Sequence, residues 1–420
     1  MRIFLISLFC CLCSSSFRSA HASEVDALRG QMQDLTRAVQ DLRLTVENQQ
    51  CEIAFLKGQT PPPFTTTGQP SSASGTRNLQ GRWNPDIGIV ADIVAKLDSP
   101  KADSEGSDRL SAREVELIFG SSVDPYSRFD ATISFSDFEE AGLEEATLTR
   151  FELPLDMKAR VGRFKPVFGK ALPVHRDSLE TVDEPLMIQR YFGPEGYNRS
   201  GADLHKVLDL PWPSVHAVSV GVLEGSVGEP EAGRIFGNSR RHPTLYSHLK
   251  NYWDLTDLTN FELGLSHMMG SKDADAHWEV HLLAADATLL HRLNADQSLK
   301  LQGELFHMNR EETFTFNEDL TRDTADLDGS LWASYVLTDF RFNPQWATGF
   351  RFDHVELIDN ARTSPDHADL GYTGYLTFYQ SEFARWRIQY SHIDLANAED
   401  DNQLMLQGTF AIGEHKHKIQ

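Results

Sequence analysis

From about Asn84 to Gly413 the chain alternates apolar and polar residues in short stretches. Leu299, Leu301 and Leu305 take turns with Lys300, Gln302 and Glu304. Trp386, Ile388 and Tyr390 alternate with Arg385, Arg387 and Gln389, and Leu404, Leu406, Phe410 and Ile412 with Gln403, Met405, Gln407 and Thr409. A period of two puts one set on each face of a strand. The pattern predicts sixteen strands, at 85–97, 110–121, 126–137, 144–153, 157–164, 200–210, 215–224, 245–256, 258–269, 277–288, 297–308, 330–341, 345–357, 370–379, 382–394 and 402–413. The gaps alternate as well. Those at 122–125, 154–156, 211–214 and 342–344 are short, and the longest runs from Lys165 to Arg199. An even strand number and this gap rhythm describe a transmembrane antiparallel β-barrel, with short periplasmic turns and long outer loops. A soluble β-sandwich is the competing fold. Aromatics near strand ends (Trp83, Tyr126, Tyr252, Trp253, Trp278, Trp346, Tyr372, Tyr375) favour membrane interfaces instead.

The N-terminal part has a different period. Val25, Met32, Val39, Val46 and Ile53 fall at heptad position a, and Leu28, Leu35, Leu42, Gln49 and Leu56 at d, so nine of ten are apolar. That is a coiled-coil pattern. A helix packed on its own chain is the alternative, but the stripe is narrow, and Gly58 with Pro61, Pro62 and Pro63 ends it. Ahead of it, Arg2, the apolar run Ile3–Cys13 and Ala20-His21-Ala22 read as a secretory signal peptide. The expected organisation is a signal peptide over 1–22, a coiled-coil oligomerisation helix over 23–57, a Pro/Ser/Gly-rich linker over 58–83 and an all-β, sixteen-stranded barrel over 84–420. With an even strand number both barrel ends face the periplasm, which places the coiled coil there. Cys51 is the one cysteine outside the signal segment, so no intramolecular disulfide can form.

Composition narrows the function. The 420 residues carry a formal net charge of −22. Removing residues 1–22 takes away Arg2 and Arg18, leaving 37 cations against 61 acids, a net −24. Such a chain has no general basic field for nucleic acid. Mean hydropathy is −0.38, and beyond the N-terminus no apolar run reaches the about 18 residues of a membrane helix. Barrels escape such scans because only alternate residues meet lipid. The sixteen histidines are scattered, and no HExxH, CxxC or GxSxG occurs. No enzyme, cofactor or metal site is therefore expected. A hydrolase whose Ser, His and Asp converge from distant strands is the residual enzymatic option. The acidic stretches at Glu139-Glu140, Glu144-Glu145 and Glu311–Asp328 read as solvated loops near lipopolysaccharide.

Two sets of cations carry the functional reading. The long loop holds Lys165, Lys170, Arg176, Arg190 and Arg199 with Asp177, Glu180, Asp183, Glu184 and Glu195. It also holds apolar anchors, Val167, Phe168, Leu179, Leu186, Met187 and Ile188. A purely solvated loop needs no such anchors, so the loop is expected to fold into the lumen and narrow it. The second set, Lys158, Arg160, Lys300, Arg351, Arg385 and Arg387, falls on strand positions assigned to the lumen. At the bilayer midplane a lipid-facing cation costs about 2–4 kcal/mol, so an inward face is the cheap solution. A basic lining suits carboxylate or phosphate. Local pairing, such as Arg351 with Asp353, is the alternative to a solute ladder.

The run Val161-Gly162-Arg163-Phe164-Lys165-Pro166-Val167-Phe168-Gly169, followed by a long loop and Arg199-Ser200-Gly201-Ala202-Asp203-Leu204, resembles the phosphate-selective porin O/P superfamily. The layout, with its ending Gly413-Glu414-His415-Lys416-His417, is similar to the DcaP-type dicarboxylate branch. The resemblance implies a homotrimer of water-filled channels in outer-membrane lipid, a constriction by the third outer loop and basic residues that guide small anionic solutes. The competing function is a structural barrel, tethering or spacing the outer membrane through its coiled coil without an open pore. Deleting residues 25–56 is expected to convert detergent-solubilised trimers to monomers, read by light scattering.

Overall fold

A computed structural model describes residues 85–99, 109–137, 141–194, 196–212, 214–225, 242–271, 279–313, 326–357, 368–396 and 398–413. The signal peptide, coiled coil and linker, together with Trp83, Trp278, Glu139-Glu140 and the terminal histidines, lie outside the described residues.

The sixteen strands are β1 (Asp86–Ser99), β2 (Arg109–Asp124), β3 (Ser127–Phe135), β4 (Gly142–Leu153), β5 (Met157–Phe164), β6 (Arg199–Leu208), β7 (Val215–Leu223), β8 (Thr244–Thr256), β9 (Thr259–Ser271), β10 (Glu279–Arg292), β11 (Ser298–Thr313), β12 (Asp326–Asn343), β13 (Trp346–Glu356), β14 (Ala368–Ser381), β15 (Ala384–Asp394) and β16 (Asp401–Gly413). Each pairs antiparallel with its sequence neighbours. β1 closes on β16, from Gly88 opposite Gly413 to Ser99 opposite Asn402. Closure removes every sheet edge, as a hydrocarbon surrounding demands. A single helix, α1 (Leu186–Tyr191), lies in the long loop among the described residues. No described helix is long and apolar enough to cross a membrane.

Alternation decides which way each side chain points. On β15, Trp386, Ile388 and Tyr390 are exposed, while Arg385, Arg387, Gln389 and Ser391 are buried. On β16, Leu404, Leu406 and Ile412 are exposed, and Met405, Gln407 and Thr409 are buried. Reversed from a soluble protein, this leaves the apolar residues on the outside. Outward aromatics gather toward the two ends. Trp346 packs on Phe378, Trp386 on Phe410 and Trp253 on Phe261 toward the turn end, and Phe352 packs on Tyr372 toward the loop end. Tyr375 departs from the expected girdle. It is buried, facing inward, and its hydroxyl donates to Asp339 Oδ2 at 2.8 Å.

Two bulges matter for the interior. Asp92 pairs with Glu114 and Ile93 with Ala112, so Arg113 is an extra residue on β2. Thr132 pairs with Glu145 and Ile133 with Leu143, so Glu144 is an extra residue on β4. A bulge breaks strict alternation and turns two consecutive side chains to one face. Arg113 with Glu114, and Glu144 with Glu145, therefore all reach the lumen.

Replacing Ile388, which is central on the exposed face of β15, with Arg is expected to destabilise the barrel by about 2–4 kcal/mol. Urea unfolding in lipid vesicles measures the loss.

Candidate functional site

Residues 165–198 leave β5, cross the barrel and return to β6. Their partners lie on inward faces all around the ring. Gly169 N donates to Ser266 Oγ on β9 at 2.9 Å, and Leu186 N to Asp353 Oδ1 on β13 at 3.0 Å. Val182 N donates to Gln389 Oε1 on β15 at 2.7 Å. In the closed ring β5 and β13 are eight strands apart, on opposite sides. Bonds to both walls place the loop inside the barrel.

The motif Val167-Phe168-Gly169 opens the crossing. Gly169 has φ +62°, and a Cβ there would stand 1.8 Å from Glu304 Oε1. Only glycine lets the chain pass this close. Beyond it, Lys170 N and Ala171 N donate to the two Glu304 oxygens at 2.9 and 3.1 Å. Phe168 packs on Phe306 and Phe192 with ring centroids 5.5 and 6.4 Å apart. Leu172, Leu186, Met187, Ile188 and Tyr191 continue an apolar core with inward Met268, Leu282, Met308, Tyr335 and Val355. The loop-end part of the lumen on this side is thus packed like a protein interior.

The expected basic residues separate into two groups. Arg351, Arg385 and Arg387 are buried to within 2% of complete and spend their donors on the loop. Arg387 donates from Nη1 to Thr181 O at 2.6 Å and from Nη2 to Leu179 O at 2.9 Å. Arg385 Nη2 donates to Asp177 O at 2.8 Å. Arg351 Nη1 donates to Asp183 O at 2.8 Å and Nε to Asp353 Oδ2 at 2.7 Å. Lys300 pairs with Glu180 of the loop at 2.5 Å. Arg160 pairs with Asp203 at 2.6 Å and lies 4.0 Å from the Phe164 ring centre. Lys158 alone of the six is exposed.

Within the loop, Lys170 pairs with Glu262 at 2.6 Å and Arg190 with Asp369 at 2.7 Å. Arg176 donates to Pro194 O and stands 3.9 Å from Glu114. Arg199 opens β6, donates to Asn198 O at 2.8 Å and lies over the Tyr197 ring. Lys165 is buried 3.3 Å from Glu144 Oε1.

β2 and β4 present an acidic wall, three and five strands around the ring from Arg385 and Arg387 on β15. His175 meets Glu116, Glu144 and Glu145 there at 3.7, 3.3 and 3.4 Å. Burial and the Lys165 ammonium oppose a charge on this imidazole, but the three carboxylates outweigh them and hold its pKa well above the usual histidine value. Burial also opposes the Lys165 charge, and Glu144, Glu184 and Glu114 override it, raising its pKa. Burial raises Glu184. Glu180 is lowered despite its burial, because Lys300 stabilises the carboxylate. Sequence reasoning missed this histidine, whose partners lie 30 to 59 residues away along the chain.

The turn-end part of the lumen is wet. Inward Asp86, Arg128 and Lys250 keep 41%, 37% and 44% of their side-chain surface, and Lys158 is exposed beside them.

No family model matches the chain. An uncharacterised protein of Aquifex aeolicus (strain VF5) is 26% identical over 325 residues, covering 72% of this chain and 68% of that protein. Among solved structures, OprB of Pseudomonas putida superposes with a TM-score of 0.55 at 11% identity, over 80% of this chain and 96% of that one. The anion-selective porin from Comamonas acidovorans superposes at 0.51 and 10% identity, over 78% and 98%. The chain has a porin fold. At such low identity the likeness speaks for architecture alone.

Arg387→Ala is expected to orphan the Thr181 carbonyl, at about 1–3 kcal/mol for a buried group left unpaired, and to leave Leu179 O with the 3.3 Å bond from Arg385 Nη1. The loop should then become cleavable by protease within residues 165–198 while the barrel strands stay folded, checked by limited proteolysis and circular dichroism.

Proposed function

We propose that this protein is an outer-membrane porin through which small hydrophilic solutes, anions of the phosphate or dicarboxylate class among them, diffuse passively. The observation that carries the reading is the loop tied across the interior of a closed barrel with an apolar exterior. Such a loop narrows a channel without needing an energy source. The heptads over Val25–Leu56 support a homotrimer with its coiled coil in the periplasm. No catalytic residue is assigned.

Arg351, Arg385 and Arg387 act as tethers in this reading, because they donate to loop carbonyls. Solute contact passes to the wet part of the lumen, where Lys158 is exposed and Arg160 follows two residues on. Aligned cations there favour carboxylate or phosphate groups over cations. The acidic residues of β4 and β2 lie on the strands next to β5, so these cations act beside carboxylates on the same side of the ring. One observation favours the structural alternative of a barrel without an open pore: the apolar core of the loop occupies part of the lumen.

Single-channel recordings of the purified full chain in planar bilayers separate the two. The porin reading expects stepwise conductance, with an anion preference that falls in Lys158→Ala, measured from reversal potentials in a salt gradient. Absence of conductance supports the closed structural barrel.

A further inference from the structure

The acidic wall contains an arrangement that transport does not require. His175 Nδ1 stands 3.3 Å from Glu144 Oε1 and 3.7 Å from Glu116 Oε1. The donor atoms of Glu116, Glu144 and His175 all lie within 4.8 Å of one another. A tetrahedral zinc ion, with bonds of about 2.0–2.1 Å, keeps its ligand atoms about 3.3 Å apart. The distances from Nδ1 to the two carboxylate oxygens are close to that spacing. On the far side of the ring, Nε2 stands 3.4 Å from Glu145 Oε2. Metal-bound imidazoles have a carboxylate on their other nitrogen in this way, which fixes the tautomer and the ring orientation.

The surroundings are rich in carboxyl groups. Glu114, Glu116, Glu144, Glu145, Asp177 and Glu184 face Lys165, Arg176 and Arg113, and Arg113 is shared with Asp92. Two carboxylate oxygens, Glu144 Oε2 and Asp177 Oδ2, are buried without a hydrogen-bond partner. Asp177 is 3% exposed, and its charge acts on Glu116. An unsatisfied buried carboxylate oxygen calls for a partner, an ion or a water.

We propose that His175, Glu116 and Glu144 bind a divalent transition-metal ion of the zinc class, with Glu145 orienting the imidazole. One imidazole with carboxylate oxygens suits zinc better than calcium or magnesium, which take oxygen ligands alone. Lys165 keeps Glu184 and Glu114 as electrostatic partners when the ion takes Glu144 Oε1. The ligands come from β2, β4 and the loop, so the ion staples the loop to this wall. The site stands whether or not the pore is open.

The test is calorimetric titration of the detergent-solubilised full chain with zinc chloride. One site per chain is expected, lost in His175→Asn and weakened by about 10–100-fold in Glu145→Gln. Zinc binding unchanged in His175→Asn overturns the proposal, as does its loss in His281→Ala, which removes a ring of β10 stacked on His267 of β9 with centroids 5.5 Å apart. X-ray absorption of zinc-loaded wild type needs no variant. A shell of one imidazole and carboxylate oxygens is expected, and a shell of several imidazoles overturns the assignment.

Discussion

A chain segment that enters a barrel takes its peptide groups out of water, and each buried carbonyl and amide then needs a partner. Here the wall provides them. Arg351, Arg385 and Arg387 supply donors to the carbonyls of Asp177, Leu179, Thr181 and Asp183, and Glu304, Asp353 and Gln389 accept from loop amides. The dependence runs both ways. The partners of Arg385 and Arg387 are neutral oxygens, so without the loop these guanidiniums would face the lumen with most donors unfilled. A buried charge that loses its partners is costly. Loop and basic wall therefore stabilise one arrangement together, and the apolar core around Phe168, Leu186 and Met187 forms only because this frame holds it in place.

The frame divides the interior. One part is packed and dry, from the loop to β9–β14. The other is lined by exposed charges near the short turns. The two bulges bring charge to the remaining wall by turning Glu144 and Glu145 inward together, and likewise Arg113 and Glu114. Strict alternation would have sent one of each pair to lipid.

Much of the barrel was legible from residue order. Strands β5 and β7 to β9 fall within about two residues of their predicted bounds, because lipid and lumen impose opposite demands on successive side chains. The loop was legible as a functional element because Phe168, Leu186, Met187 and Ile188 have no place in a solvated strand connection. The roles of the cations were less legible. Arg385 and Lys158 look alike as inward basic residues, yet one is consumed by loop carbonyls and the other meets water. Alternation gives a direction, not a partner. Tyr375 shows the same limit: it reads as a girdle residue with Tyr372, yet three positions on in the same strand it takes the opposite face and points to the lumen.

The sequence by itself determined the period, the strand number, the sidedness of the gaps and the sign of the charge. These follow from local rules that each residue obeys with its neighbours. Only the tertiary structure decided which charges meet. His175, Glu116 and Glu144 converge from the loop, β2 and β4, and Arg387 finds Leu179 across 208 positions. Barrel closure and loop entry set those distances, and neither leaves a spacing along the chain from which a pairing can be read.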